Sequence, residues 1–179
     1  KAEFLGRQFG VASFYLPGVT KVKNHPDLLR ASERLVHLLF LHDVQLWGAW
    51  LHETPMEDIW ETANRYGIDD SAEFVPYWEF EEGRRKEVIT TGAVKVSVYR
   101  VPQKKHLLVT VYNTGDGPFK GRIGADWKAL GAGGAGYGTI AAEVVSGTRT
   151  GKCSIGKVDA AGMEVELGAK DGANIVVSW

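Results

Sequence analysis

The first half of the chain contains two stretches in which apolar residues recur at the spacing of an α-helix. The apolar positions of the first stretch are Leu28, Ala31, Leu35 and Leu38 or Leu39. Such spacing is typical of an amphipathic helix. Pro26 occupies a suitable first helical position, and Asn24 or His25 is available as the N-cap. The pattern therefore predicts a helix over residues 26–41.

The second stretch has clear start and stop signals. Thr54 is the expected N-cap, Pro55 the first helical residue and Glu57 the partner that completes a capping box. Gly67 supplies the left-handed residue that ends the helix. The pattern predicts a helix over residues 55–66 that packs an apolar face against a sheet, with Trp60 in the core. The members of this face are Met56, Ile59, Trp60 and Ala63.

The apolar period changes from helical spacing to two in the second half of the chain. Valines alternate with other residues over 94–99, which predicts a strand. A turn at 102–105 and a second strand over 107–112 follow, so the pattern predicts an antiparallel hairpin. Short strands separated by turn residues are typical of a sandwich or barrel. Further strands are expected near residues 119–125, 140–145, 152–158, 163–167 and 174–179.

A polar and charged segment around Gly83 separates these two halves. We place the organisational boundary there and predict an α+β fold. Residues 1–80 form an N-terminal segment with two helices, a strand over residues 9–15 and a short strand or extended loop over residues 42–48. Residues 88–179 form an antiparallel β-sandwich. No internal repeat accounts for either half.

Composition excludes several classes of protein. The chain has 179 residues, 44% of them hydrophobic, which is enough for a core without a metal or disulfides. Its net charge of -1 provides no broad attraction to nucleic acid or anionic membranes. Cys153 is the single cysteine, so neither an intrachain disulfide nor a Cys-based zinc site can form. No apolar run approaches the ~20 residues of a membrane span.

Other familiar catalytic signatures are missing. The glycine-rich residues 131–138 lack the Lys-Ser/Thr that ends a phosphate-binding loop, and no Gly-x-Ser-x-Gly elbow occurs. We therefore predict no cofactor. Three loose candidate ligands, His42, Asp43 and His52, are weak evidence for a metal site, and we predict none.

Several ordered blocks resemble the C-terminal end of large glycoside-hydrolase-like proteins. The blocks are GRQFG at 6–10, LHDVQLWG at 41–48, YGI at 66–68, AEFVPYW at 72–78, VKVSVYR at 94–100, LLVTVYN at 107–113 and DWKAL at 126–130. In such proteins the last strands and helices of a (β/α)8 barrel are followed by a β-sandwich. The resemblance implies that residues 9–15 and 44–47 are late barrel strands, and that residues from 88 onward form the appended sandwich.

The length of the chain constrains this interpretation. A (β/α)8 barrel needs ~200 residues or more, so only about a quarter of one fits before residue 79. The chain is then either one piece of a larger protein, or its helices have been re-used to cover the sandwich. The sequence begins with Lys1 and not with Met. We therefore expect the remainder of a larger protein, or a second chain, as a partner.

Candidate sugar contacts combine flat apolar rings with polar side chains. The predicted substrate-binding residues are Arg7, His42, Asp43, Trp47 and Trp50. Sugar rings stack their C–H faces on aromatic rings, while charged groups accept or donate hydrogen bonds to the hydroxyls. Glycoside hydrolysis needs two carboxylates ~5–10 Å apart. No pair in the sequence is marked out as such, so the catalytic residues are not assigned.

Two functions follow from these observations. The first is the C-terminal portion of a glycoside-hydrolase-like protein that acts on or binds carbohydrate and is not catalytic by itself. The alternative is a non-catalytic carbohydrate-binding or structural β-sandwich module. Whether the chain is an enzyme is left open. Carbohydrate is the expected ligand, and only the resemblance favours a secreted or periplasmic location.

Overall fold

The computed structural model describes residues 14–15, 27–46, 51–89, 92–101, 104–132, 140–147 and 149–179. Its helices are α1 (Leu28–Phe40), α2 (Glu53–Tyr66) and α3 (Tyr77–Glu81). Its strands are β1 (Phe14–Tyr15), β2 (Gln45–Leu46), β3 (Glu73–Val75), β4 (Val88–Ile89), β5 (Val94–Arg100), β6 (His106–Asn113), β7 (Phe119–Ala125), β8 (Ala141–Ser146), β9 (Cys153–Asp159), β10 (Gly162–Leu167) and β11 (Gly172–Ser178). The predicted α+β class is confirmed.

Two antiparallel sheets form the predicted sandwich. One has five strands in the order β3-β5-β6-β11-β8, and the other has four in the order β4-β7-β10-β9. The predicted hairpin is β5 paired with β6, in which Val96 lies opposite Val111 and Val98 opposite Val109. These valines are at most 1% exposed and belong to the core between the two sheets. The alternation of apolar residues therefore placed every second side chain in the inter-sheet core.

The helices cover the outer face of the five-stranded sheet. Side chains on that face include Ser97 and Tyr99 of β5, both of which are buried. The Ser97 hydroxyl donates to the Leu41 carbonyl at 2.8 Å and accepts the Tyr77 N–H at 3.0 Å. The carbonyl at the end of α1 and the first amide of α3 are thus satisfied by the sheet. The result is three layers, helix on sheet on sheet.

A short parallel pair precedes this layered region. Phe14 is in register with Gln45, and Tyr15 with Leu46, so β1 and β2 run parallel with α1 between them. A parallel pair requires a crossover connection, which α1 provides. Since α2 follows β2, the described order here is strand, helix, strand, helix.

Helix α1 begins at Leu28, two residues later than the predicted start at residue 26. Asp27 is its N-cap, and its Oδ1 accepts the Arg30 N–H at 3.1 Å. The expectation that Asn24 or His25 caps the helix is therefore wrong; both residues lie outside the described ranges. Aspartate is among the most favourable N-cap residues, because its side chain can accept an amide N–H of the first turn. The helix therefore starts after Asp27 and not at Pro26.

The predicted capping box of α2 is also wrong. His52 is the N-cap, and its Nδ1 accepts the Thr54 N–H at 3.3 Å. Thr54 and Pro55 lie inside the first turn, where the amide that proline lacks has no intrahelical partner. Thr54→Ala is consequently not expected to remove a cap. Gly67 ends the helix as predicted, with a φ of 71°.

The core assignment of Trp60 is wrong. Met56 and Ile59 of the predicted apolar face are buried, but Trp60 is 44% exposed. Helix α2 packs on α1 and on the edge strand β8, which covers only part of the apolar face. The tryptophan lies at the margin of that face.

The connection between the halves contains structure that the sequence pattern did not predict. Strand β3 pairs with β5, with Glu73 opposite Arg100, and the five-residue helix α3 follows it. The N-terminal segment therefore contributes an edge strand to the sandwich. The division into residues 1–80 and 88–179 is still a prediction.

Candidate functional site

Two of the predicted sugar contacts lie in the described part of the chain. His42 and Asp43 occupy the turn between α1 and β2. Arg7, Trp47 and Trp50 lie outside the described residues. Because the turn precedes β2, both side chains start from the amino end of that strand.

His42 is held between α1 and α3. Its Nδ1 lies 2.8 Å from the Leu38 carbonyl, and its Nε2 lies 3.4 Å from the Tyr77 hydroxyl. The ring also stacks on Trp78 with 6.1 Å between centroids. Burial lowers the pKa of His42, opposed by the bond to the Leu38 carbonyl. A neutral imidazole that donates from Nδ1 and accepts at Nε2 satisfies both contacts.

Asp43 points toward a different neighbour. Its φ is 55°, a left-handed conformation that aspartate tolerates better than most residues. The buried Tyr99 hydroxyl donates to the Phe40 carbonyl at 2.7 Å and lies 3.2 Å from Asp43 Oδ1. Asp43 is exposed as a whole residue, yet partial burial of its carboxyl raises its pKa, against the opposing bond from Tyr99. Burial, together with the charge of Asp43, keeps the pKa of Tyr99 well above 10, so the phenol remains a donor.

A cavity of about 380 Å³ opens beside Asp43. It lies between α2 and the edge of the five-stranded sheet, where Phe74 of β3 and Tyr99 of β5 contribute to its wall. Trp60, Asp69 and Asp70 also line it. This cavity combines an exposed aromatic ring with several hydrogen-bond acceptors.

Asp69 is held in a local turn at this cavity. Its Oδ1 accepts the Ser71 N–H at 2.8 Å and the Ser71 hydroxyl at 2.6 Å. These bonds lower the pKa of Asp69, so the carboxylate is ionised at neutral pH. Asp69, Asp70 and Trp60 were not predicted as site residues from the sequence. The sequence indicates a polar turn after Gly67, but no local pattern shows that this turn lies next to Asp43 in the folded chain.

A second group of buried polar residues joins α1 to the sandwich. The Glu33 carboxylate accepts the backbone N–H groups of Arg149, Thr150 and Gly151 at 3.0, 2.8 and 3.1 Å, and also the Thr150 hydroxyl. Asp171, 3% exposed, accepts the Arg34 guanidinium at 3.0 Å. These bonds fix α1 against the β8–β9 loop and the start of β11.

His37 and Ser146 form a serine–histidine pair at this same contact, but not a nucleophilic one. His37 Nε2 lies 3.1 Å from the Ser146 hydroxyl, and Nδ1 lies 2.7 Å from the Glu33 carbonyl. The Asn174 amide donates to Ser146 at 3.0 Å and accepts the Thr110 hydroxyl at 2.7 Å. His37 is 1% and Ser146 6% exposed, so a substrate has no access to them. The network is a satisfied structural chain.

The stability of the protein should fall in mild acid because of His37. Burial lowers the folded pKa of His37 below 6.5, so below pH 6.5 the unfolded chain binds a proton that the folded chain does not. The stability present above pH 6.5 is then lost by up to about 1.4 kcal/mol per pH unit as the pH falls toward the folded pKa. Urea midpoints at several pH values measure this loss. His37→Gln, which cannot titrate, should flatten the profile; an identical slope in both proteins would contradict the assignment.

Elsewhere in the described residues, neither thiol chemistry nor a metal site is indicated. Burial raises the pKa of Cys153 to about 12, so the thiolate is not available at neutral pH. Within the described ranges, no cluster of three or more His, Cys, Asp or Glu side chains is arranged to hold a metal ion. In the same part of the chain, no helix has the length and apolar character needed to cross a membrane.

Comparison with known proteins gives one distant structural similarity. No protein-family model and no curated protein matches the chain. Among solved structures, it is similar to a xylanase of glycoside hydrolase family 30, subfamily 8, from Clostridium acetobutylicum, with 14% sequence identity and a TM-score of 0.46. The similarity covers 94% of this chain and 42% of the xylanase chain. At this level it establishes neither the family nor the activity of the protein.

Proposed function

We propose that the chain is the C-terminal portion of a glycoside-hydrolase-like protein that acts on or binds carbohydrate and is not catalytic by itself. The observation that carries this proposal is the parallel pairing of β1 and β2 around α1, followed by α2. This order of elements is the repeating unit of a (β/α)8 barrel. Parallel strands are normally covered on both faces, so two short strands fit best beside further barrel strands.

The attachment of the sandwich supports the same proposal. Helix α1 contacts β6 and β11 on one side and lies beside β2 on the other. Glu33, Arg34 and His37 all donate to or accept from sandwich residues or the loops between its strands. The sandwich thus holds the last helices in place, as a domain that supports a barrel would.

We propose Arg7, His42, Asp43, Trp47 and Trp50 as carbohydrate contacts. Aromatic faces and ionised or amide-like groups are the chemistry that sugar rings and hydroxyls require. Of the described pair, Asp43 faces the cavity beside α2, and His42 is packed against α3.

The position of the described carboxylates Asp43 and Asp69 supports the proposed lack of catalysis by the chain alone. Asp43 precedes β2, and Asp69 follows the end of α2, so both lie toward the amino end of the strand. Barrel enzymes carry out their chemistry at the carboxyl ends of the strands. Each carboxylate is also engaged locally, Asp43 by Tyr99 and Asp69 by Ser71. Neither is placed as one member of an acid–base pair across a sugar.

The test is a titration of the purified chain with neutral cello-, xylo- and manno-oligosaccharides, followed by NMR chemical shifts. We expect weak saturable binding, stronger for oligosaccharides than for monosaccharides because one ring contact contributes little affinity. Aryl glycosides should not be hydrolysed. Absence of any binding would contradict the proposal. Turnover that Asp43→Asn abolishes in a folded protein would show that the chain is itself catalytic.

The second candidate is a structural sandwich module. The outer face of the four-stranded sheet carries ion pairs between Lys120 and Glu166 and between Arg122 and Asp159. The large aromatic residues of the described sandwich are engaged in packing. Phe119, Trp127 and Trp179 pack in the inter-sheet core. Tyr99 and Tyr112 pack in the two clusters under the helices. Sugar stacking needs an exposed ring. These observations favour a supporting role for the sandwich over a sugar-binding surface on that sheet.

A further inference from the structure

We propose that the cavity between α2 and the β3–β5 edge is a binding site for neutral carbohydrate, with Trp60 as its stacking surface. This site differs from the contacts proposed above in every described residue except Asp43. The inference depends on the proposed function only for the class of ligand. Its location depends on the side chains that line the cavity.

The exposure of Trp60 is the first observation. Among the described residues, Trp60 and Ile89 are the large hydrophobic side chains that are exposed, at 44% and 66%. Ile89 lies on the four-stranded sheet, where Gly124 is its neighbour, while Trp60 lies at the rim of the cavity. Burial of an indole ring on binding a ligand removes a large apolar area from water. A sugar presents a C–H face of matching shape and leaves its hydroxyl edge toward the solvent and the polar wall.

The charges of the cavity select the ligand. Its lining includes the acidic residues Asp43, Asp69 and Asp70, whereas none of its described lining residues is Lys, Arg or His. Phosphorylated ligands, nucleic acid and acidic sugars would therefore meet like charge, and the described lining residues offer no compensating cation. Sugar hydroxyls donate hydrogen bonds to carboxylates, and such charge-assisted bonds are among the stronger ones. The lining thus favours an uncharged polyhydroxylated ligand.

The dimensions and rigidity of the cavity fit such a ligand. Its volume of about 380 Å³ lies within the ~300–1,000 Å³ typical of small-molecule sites. Asp69 is fixed by its two bonds from Ser71, and Asp43 lies against the Tyr99 hydroxyl. Acceptors that are already positioned lose little conformational freedom on binding.

The experiment compares two substitutions of exposed apolar side chains. Neutral oligosaccharides are titrated into wild type, Trp60→Ala and the matched control Ile89→Ala, with binding followed by NMR and folding checked by the same spectra. We expect Trp60→Ala to weaken binding at least tenfold and Ile89→Ala to leave it unchanged. Trp60→Phe, which retains a ring, should retain part of the affinity. Asp70→Asn should weaken binding severalfold.

The outcomes separate this inference from the proposed function. If wild type binds oligosaccharides and Trp60→Ala binds them equally well, the site is wrong and the proposed function stands. If wild type binds no neutral oligosaccharide, both are wrong. An oligogalacturonide, which is acidic, is titrated in the same way. If it binds as tightly as the neutral ligands, the argument from charge is overturned, because the cavity would then not select uncharged ligands over acidic ones.

Discussion

Replacing Glu33 by alanine should lower the free energy of unfolding by about 3–5 kcal/mol, since hydrogen bonds to charged groups contribute ~1.5–3 kcal/mol each. The carboxylate, in a residue 4% exposed, accepts three consecutive backbone amides from Arg149 to Gly151. Alanine leaves those donors without their acceptor in a partly buried loop. The helix α1 also loses a fixed point on the sandwich.

Chemical denaturation of wild type and variant, with equal m-values, measures the effect. Glu57→Ala is the matched control, because Glu57 is an exposed glutamate of α2, and exposed substitutions usually change stability by at most ~0.5 kcal/mol. Glu33→Gln should fall between the two, since one amide oxygen still accepts but the charge is lost. A Glu33→Ala protein within the range of the control would show that water replaces the carboxylate at no cost.

The contacts of Glu33 explain why the docking of α1 on the sandwich was not predictable from sequence. The Glu33 side chain contacts residues 149–151, which are separated from it by 116 to 118 positions in the sequence. No local pattern encodes that pairing, because any glutamate on an amphipathic helix has the same neighbours in sequence. The sheet interior is different: the period-two pattern depends on local alternation, so the strand from Phe119 to Ala125 was predicted with its observed bounds.

Helix boundaries show the same division between local and non-local causes. The stop at Gly67 was predictable, because a left-handed residue at that position is a local requirement. The start of α2 was not. Thr54 and Glu57 fit the capping-box pattern, but the His52 backbone N–H donates to the Ser32 hydroxyl of α1 at 2.9 Å. That tertiary contact places the chain so that the helix begins one residue after His52.

The two tryptophans Trp60 and Trp127 show how far the candidate site could be predicted from the sequence. Both lie in segments with other apolar residues, and sequence alone favours burial for each. Trp127 is 1% exposed in the inter-sheet core, while Trp60 is 44% exposed beside Asp69 and Asp70. The difference comes from which surface each segment meets after folding. The cavity was therefore visible only once α2 and β3 had been placed.

The core tryptophan gives a large and specific expected effect. Trp127→Ala should reduce the free energy of unfolding by about 3–5 kcal/mol, because deleting a buried aromatic ring removes transfer free energy and leaves a cavity. Its indole N–H also donates to the Asp159 carbonyl at 2.9 Å, which joins the segment after β7 to the end of β9. Trp127→Phe keeps an aromatic ring but loses this hydrogen bond, so it should lower the free energy of unfolding by less than Trp127→Ala does. Urea denaturation measures the free energy of unfolding of each variant. Trp60→Ala is the matched control and should lower that free energy far less, because the Trp60 ring is already partly exposed to water. Equal losses at the two positions would contradict the assignment of Trp127 to the core and of Trp60 to the cavity rim.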